Sequence, residues 1–82
     1  FAWTDAAWKR PRFRDLVLTE IHLGTFTAAG TFRSAISRLP ELRAVGFTAI
    51  ELMPVADFPG RWNWGYDGVL PYAPARAYGS PD

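Results

Sequence analysis

Two apolar runs of strand length, with a stretch of helical period between them, constrain this chain more than any other feature. Residues 15–23 carry Leu16, Val17, Leu18, Ile21 and Leu23, broken only by Thr19, Glu20 and His22. Their apolar side chains fall on both faces, as in a strand covered on two sides. Residues 47–55 are denser still: Phe47, Ala49, Ile50, Leu52, Met53 and Val55, with Glu51 the one charge and Pro54 closing the run. In residues 31–45, Phe32, Ala35, Ile36, Leu39, Leu42 and Val45 recur at helical spacing, while Arg33, Arg38, Glu41 and Arg43 take the other side. Thr31 is placed as the N-cap and Gly46 as the left-handed C-terminal cap. Pro40 has no N–H for the helical ladder, so the helix is expected to break near Leu39 and restart. Strand, helix and strand with short connections make a parallel βαβ unit of an α/β fold. Two parallel strands are too few to be a whole sheet, so the unit is expected to belong to a larger one.

The segment beyond the second run, residues 56–80, has no clear period and reads as a long loop stiffened by Pro59, Pro71 and Pro74. Long irregular segments after a buried strand are where α/β proteins keep ligand contacts. Its centre is Asn63-Trp64-Gly65-Tyr66-Asp67-Gly68, preceded by Pro59-Gly60-Arg61-Trp62. Large aromatics beside glycines suit the flat apolar face of a sugar ring. Tyr66, Asp67 and Trp64 are the candidate substrate-binding residues. Tyr66 competes with a packing role, Asp67 with a turn role, and Trp62 and Trp64 with packing.

Composition sets limits on other functions. Aromatic residues make up 16% of the chain, enough for a dense small core or an aromatic surface. A net charge of +1 gives no argument for nucleic acid or membrane partners. Four cations lie among Trp8 and Phe13 in residues 1–14, too few for a single-strand nucleic-acid platform, and that segment reads as an extended connector. No cysteine is present, which removes disulfides and thiolate metal sites. His22 has no second histidine to share a metal, and a hydrogen-bonded structural role is expected of it. Glu20 and Glu51 lie mid-strand and are expected as acids paired inside the core of the fold, not as catalytic groups. Gly79-Ser80-Pro81-Asp82 reads as a helix start that the sequence does not continue, so the chain is expected to be a piece of a larger protein.

Several runs together resemble the α-amylase family of glycoside hydrolases, and within it the maltooligosyltrehalose trehalohydrolases. They are Thr19-Glu20-Ile21-His22-Leu23-Gly24-Thr25-Phe26-Thr27, Gly30-Thr31-Phe32, Thr48-Ala49-Ile50-Glu51-Leu52-Met53-Pro54-Val55, Phe58-Pro59-Gly60, Trp64-Gly65-Tyr66-Asp67-Gly68-Val69, Tyr72-Ala73-Pro74 and Tyr78-Gly79. Branching enzymes share the strand-and-loop outline but differ in the run between the second strand and Trp64-Gly65-Tyr66. The leading Phe1-Ala2-Trp3-Thr4-Asp5 also resembles the trehalohydrolase lead-in, so the likeness extends over residues 1–82.

The resemblance implies a (β/α)8 TIM barrel. Residues 15–82 would be its first strand, first helix, second strand and substrate loop. Residues 1–14 would connect to an upstream β-sandwich module. It implies a cytoplasmic hydrolase of α-1,4-glucans that releases trehalose from maltooligosyl trehalose, needing no cofactor or metal. Its partners would be the α-glucan oligosaccharide and the remainder of the barrel, with no nucleic acid and no membrane. The tyrosine matching Tyr66 stacks on the sugar beside the scissile bond in that family. The family's nucleophile, acid/base and third acid come from later strands, and none of those motifs occurs here, so no catalytic residue is expected in this chain. The alternatives are a branching or debranching enzyme and a non-catalytic carbohydrate-binding module.

Overall fold

The computed structural model describes residues 2–80. The expected helix start at Pro81 and Asp82 therefore lies outside the described residues. Residues 2–17 run mostly extended, with one 3-10 turn at Phe13–Asp15 closed by an Arg12–Asp15 ion pair at 2.7 Å. The first strand, β1, is Leu18–Ile21, and the second, β2, is Ala49–Leu52. They pair in parallel with Leu18 opposite Ala49, Thr19 opposite Ile50, Glu20 opposite Glu51 and Ile21 opposite Leu52. Thr48 sets the register from below: its hydroxyl accepts from the Val17 N–H at 2.8 Å, and its own N–H donates to the Val17 carbonyl. The ladder continues one step past β2, where the Met53 N–H donates to the Ile21 carbonyl at 3.0 Å.

Both strands are shorter than the apolar runs that announce them. Leu23, the last residue of the apolar run, leaves the strand direction and opens a one-turn helix, α1, at Leu23–Phe26. The His22 carbonyl accepts from the Thr25 and Phe26 N–H groups to start that turn. The helical segment divides in two, as Pro40 requires: α2 at Phe32–Ile36 and α3 at Leu39–Ala44. Thr31 caps α2 in a capping box. Its hydroxyl accepts from the Ser34 N–H, and the Ser34 hydroxyl accepts from the Thr31 N–H. Pro40 falls in the first turn of α3, where a missing N–H costs nothing. Gly46 follows α3 with a φ of +106°, as its place in the sequence predicts.

Residues 56–80 are more ordered than their composition suggests. Two-residue β3, Ala56–Asp57, pairs antiparallel with β4, Leu70–Pro74, through an irregular register of Ala56 opposite Pro74 and Asp57 opposite Leu70. Pro71 and Pro74 hide this strand from sequence reading. A two-stranded ribbon tolerates them because each strand has an outward edge that needs no donor. A last 3-10 turn, Arg76–Tyr78, is tied to β3 by the Arg76 N–H donating to Asp57 Oδ1 at 3.3 Å.

The core lies between these loops and the helices, not around the parallel strands. Leu23, Ala35, Phe58, Ala75 and Tyr78 form it, with Phe26, Phe32 and Val55 packed alongside. Tyr78 is its centre: its ring meets His22 and Phe32 edge-on and Phe58 at a tilt, with centroids 5.7–6.4 Å apart. The expectation that both strands are buried on two faces is not met within this chain. Val17, Leu18, Ile50 and Leu52 are exposed, and the register places Leu18 on one face of the pair and Ile50 and Leu52 on the other.

Candidate functional site

The loop after β2 is built around Asn63, the one polar side chain buried among the described residues, at 3% exposure. Pro54 cannot extend the strand, but its carbonyl accepts from the Asn63 side-chain amide at 3.0 Å. Asn63 Oδ1 accepts from the Asp67 N–H at 2.9 Å, and the Asn63 carbonyl accepts from the N–H groups of Tyr66 and Asp67 at 3.1 and 3.0 Å. One residue thus fastens the end of a strand to both ends of a tight turn.

The turn is unusual in its first central residue. Trp64 has a φ of +51° and Gly65 a φ of +97°, the two positive values of a type I′ turn. For Gly65 this is free, and a side chain there would meet the Met53 methyl at 2.7 Å. For Trp64 the left-handed conformation costs about 1–2 kcal/mol, which the Asn63 hydrogen bonds hold in place.

Trp64, Tyr66 and Asp67, the residues singled out from the sequence, stand together on this turn. All three are exposed, Trp64 at 79% and Tyr66 at 70%. Trp62 stands next to them at 61%; its ring lies 6.3 Å from that of Trp64 at 41°, and the Arg61 guanidinium sits over its face at 5.6 Å. A packing role within this chain is therefore not what holds Trp62, Trp64 or Tyr66.

Beside the turn lies an open hollow of about 690 Å³. Arg61, Trp62, Asn63 and Trp64 form one wall, and His22, Thr25, Gly30 and Tyr78 contribute to the other. Tyr66 and Asp67 do not line it. His22 is hydrogen-bonded, as expected, with its Nδ1 3.2 Å from the Thr25 hydroxyl. Sequence reading missed Arg61 and Tyr78 as wall residues. Nothing local could reveal them, because the hollow joins the turn after β1 to segments far along the chain. Asn63 was more accessible: an asparagine two residues before a glycine is a recurrent turn builder.

Glu20 and Glu51 are register partners on the same face of the parallel pair, and both are exposed within this chain. Among the described residues, no group of three potential metal ligands comes together, and no helix is long and apolar enough to cross a membrane.

No protein-family model matches the chain. Individual proteins do. Over all 82 residues it is 50% identical to the malto-oligosyltrehalose trehalohydrolase of Deinococcus radiodurans, and over 99% of its length it is 49% identical to that of Saccharolobus solfataricus. The chain is a relative of the malto-oligosyltrehalose trehalohydrolases. It spans 14% of the length of either enzyme. A 1,4-alpha-glucan branching enzyme from Bordetella parapertussis is 42% identical, matching 99% of this chain and 12% of that protein. A solved structure of a Salmonella typhimurium protein proposed to be an alpha amylase superposes with a TM-score of 0.94 at 55% identity, again over the whole chain and 14% of the other. The trehalohydrolase likeness therefore covers the strands, the helices and the Asn63-centred turn alike, and the chain has the fold of the matching segment of the Salmonella typhimurium protein.

Proposed function

We propose that this chain is the first βαβ segment and substrate loop of a (β/α)8 barrel glycoside hydrolase that acts on α-1,4-glucans. The whole enzyme releases trehalose from maltooligosyl trehalose in the cytoplasm. The observation that carries this reading is Tyr66, exposed on a hydrogen-bonded turn just past a strand end, in a chain half identical to trehalohydrolases. A pyranose has one apolar face. An aromatic ring on a fixed turn buries that face and sets the orientation of the sugar before reaction. Asp67, on the same turn, offers a carboxylate to sugar hydroxyls, and Trp64 adds a second aromatic surface.

Within this reading the chain positions substrate and does not cut it. Cleavage needs two carboxylates flanking the glycosidic bond. Glu20 and Glu51 sit in the middle of β1 and β2, side by side, whereas barrel enzymes present catalytic groups at the C-terminal strand ends. The cutting carboxylates belong to other strands.

The similarity to a branching enzyme supports a second reading, transfer of a glucan segment in place of hydrolysis. One product analysis separates the two. Incubated with maltooligosyl trehalose and with plain maltooligosaccharide, the whole enzyme is expected to yield free trehalose from the former. Branched products from the latter, without trehalose, would overturn the hydrolase reading. With that activity in hand, Tyr66→Ala should lower kcat/KM by about 10²-fold without a change in Tm. An unchanged kcat/KM would remove Tyr66 from the sugar site.

A further inference from the structure

We infer that Asn63 is a positioning residue of the reaction, a role that rests on the reading of Tyr66 as the residue that stacks on the sugar. Asn63 does not touch the substrate. It sets where the Tyr66 ring stands relative to the parallel strands.

Tyr66 is 70% exposed, so the direction of its ring rests on the backbone that carries it. One residue holds that backbone. The Asn63 carbonyl accepts from the Tyr66 N–H at 3.1 Å, and Asn63 Oδ1 accepts from the next N–H, that of Asp67, at 2.9 Å. On its other side the Asn63 amide donates to the Pro54 carbonyl at 3.0 Å. Pro54 follows Met53, whose N–H donates to the Ile21 carbonyl at the end of the parallel ladder. A short series of hydrogen bonds therefore runs from the sheet to the Tyr66 amide. Met53 adds a steric support: its methyl carbon lies 2.7 Å from where a Cβ on Gly65 would stand, so the turn sits directly against the strand end.

Other roles for Asn63 fit less well. At 3% exposure it offers a sugar almost no surface, and its amide already donates to one backbone group and accepts from another. Space filling needs no amide, and an apolar side chain would leave the Pro54 carbonyl without this donor. An ionised aspartate accepts but cannot donate, so at this length the amide is the side chain that serves both partners. The link to chemistry is geometric. A sugar misplaced by about 1 Å costs up to about 10²-fold in rate, so slack in the turn beneath Tyr66 reaches the bond being cut.

The test is a double-mutant cycle in the whole enzyme, read as kcat/KM on maltooligosyl trehalose. Asn63→Ala is expected to lower kcat/KM about tenfold when Tyr66 is present, mostly through kcat, and less than about twofold when Tyr66 is already alanine. Asn63→Asp keeps the size and the acceptor but loses the donor; it is expected to show the same dependence on Tyr66 and decides the question if the alanine variant does not fold. Equal losses in both backgrounds would make Asn63 merely structural, and no loss in either would remove it from the reaction; each overturns the inference. Tyr66→Ala without effect by itself would instead refute Tyr66 as the sugar residue, and the positioning role with it. Wild-type enzyme that releases no trehalose would refute the hydrolase reading alone. The cycle is then read by calorimetric titration with maltoheptaose: about tenfold weaker binding by Asn63→Ala only where Tyr66 is present supports the role, and equal or no weakening removes it.

Discussion

The turn at Asn63–Asp67 and the parallel pair β1–β2 are opposite in kind. The turn has no regular structure, yet it closes on itself: Asn63 satisfies the Pro54 carbonyl and the Tyr66 and Asp67 amides, and no buried side-chain polar atom among the described residues lacks a partner. The strands are regular, yet open. They expose Leu18, Ile50 and Leu52, present two glutamates side by side, and have an unpaired edge on each outer side. Regularity is thus no measure of self-sufficiency. A turn needs a few local hydrogen bonds, while a parallel strand needs cover on both faces and neighbours on both edges.

The largest effect that follows concerns the 82-residue chain alone. Its open sheet and small core should deny it a cooperative thermal transition as a soluble monomer, and it should aggregate through the strand edges. Calorimetry showing a sharp monomeric transition would abolish the contrast between the two regions.

The next effect is local to the turn. In the whole enzyme, Asn63→Ala strands the Pro54 carbonyl and removes one acceptor from the Asp67 amide. This should cost about 2 kcal/mol of local stability, read as roughly 30-fold faster amide exchange at Tyr66 and Asp67. Unchanged exchange would mean that the turn is held from outside, as the strands are.

A smaller effect is expected at Trp64. Replacement by Asn relieves a left-handed strain of about 1–2 kcal/mol but loses an aromatic pair worth about 0.5–1.5 kcal/mol. Exchange protection in the turn should therefore change by less than about tenfold, while KM for the glucan rises. A collapse of the turn would show that Trp64 is structural. The smallest effect belongs to the strands: Glu51→Gln relieves a like-charge pair and should raise residual structure in the isolated chain by about a few tenths of a kcal/mol after solvent screening. Circular dichroism without any gain would place a compensating charge between the two strands.

What could be read from the sequence follows the same division. The βαβ order, the Thr31 cap, the break before Pro40 and the Gly46 cap are local signals, and each stands where the spacing puts it. Trp64, Tyr66 and Asp67 on one exposed turn were legible for the same reason. Features made by distant segments were not. The pairing of Ala56 and Asp57 with a proline-bearing strand, the seat of Ala75 and Tyr78 in the core, and the joining of His22 to Arg61 across the hollow leave no periodic trace. An apolar run reports that a strand will be covered, not which segment of chain will cover it, and within this chain alone Glu20 and Glu51 are exposed.

Tyr78 carries a consequence for the order of assembly. Its ring touches His22 from the end of the first strand, Phe32 from the following helix and Phe58 from the loop. These contacts join residues far apart in the chain, so they form late and slow the folding of whatever depends on them. On a ribosome, β1 and its helices emerge well before the residue that locks them together. Until Tyr78 arrives, the hollow has one wall and the early apolar surface has no seat, which makes this interval the one in which a chaperone would find most to hold.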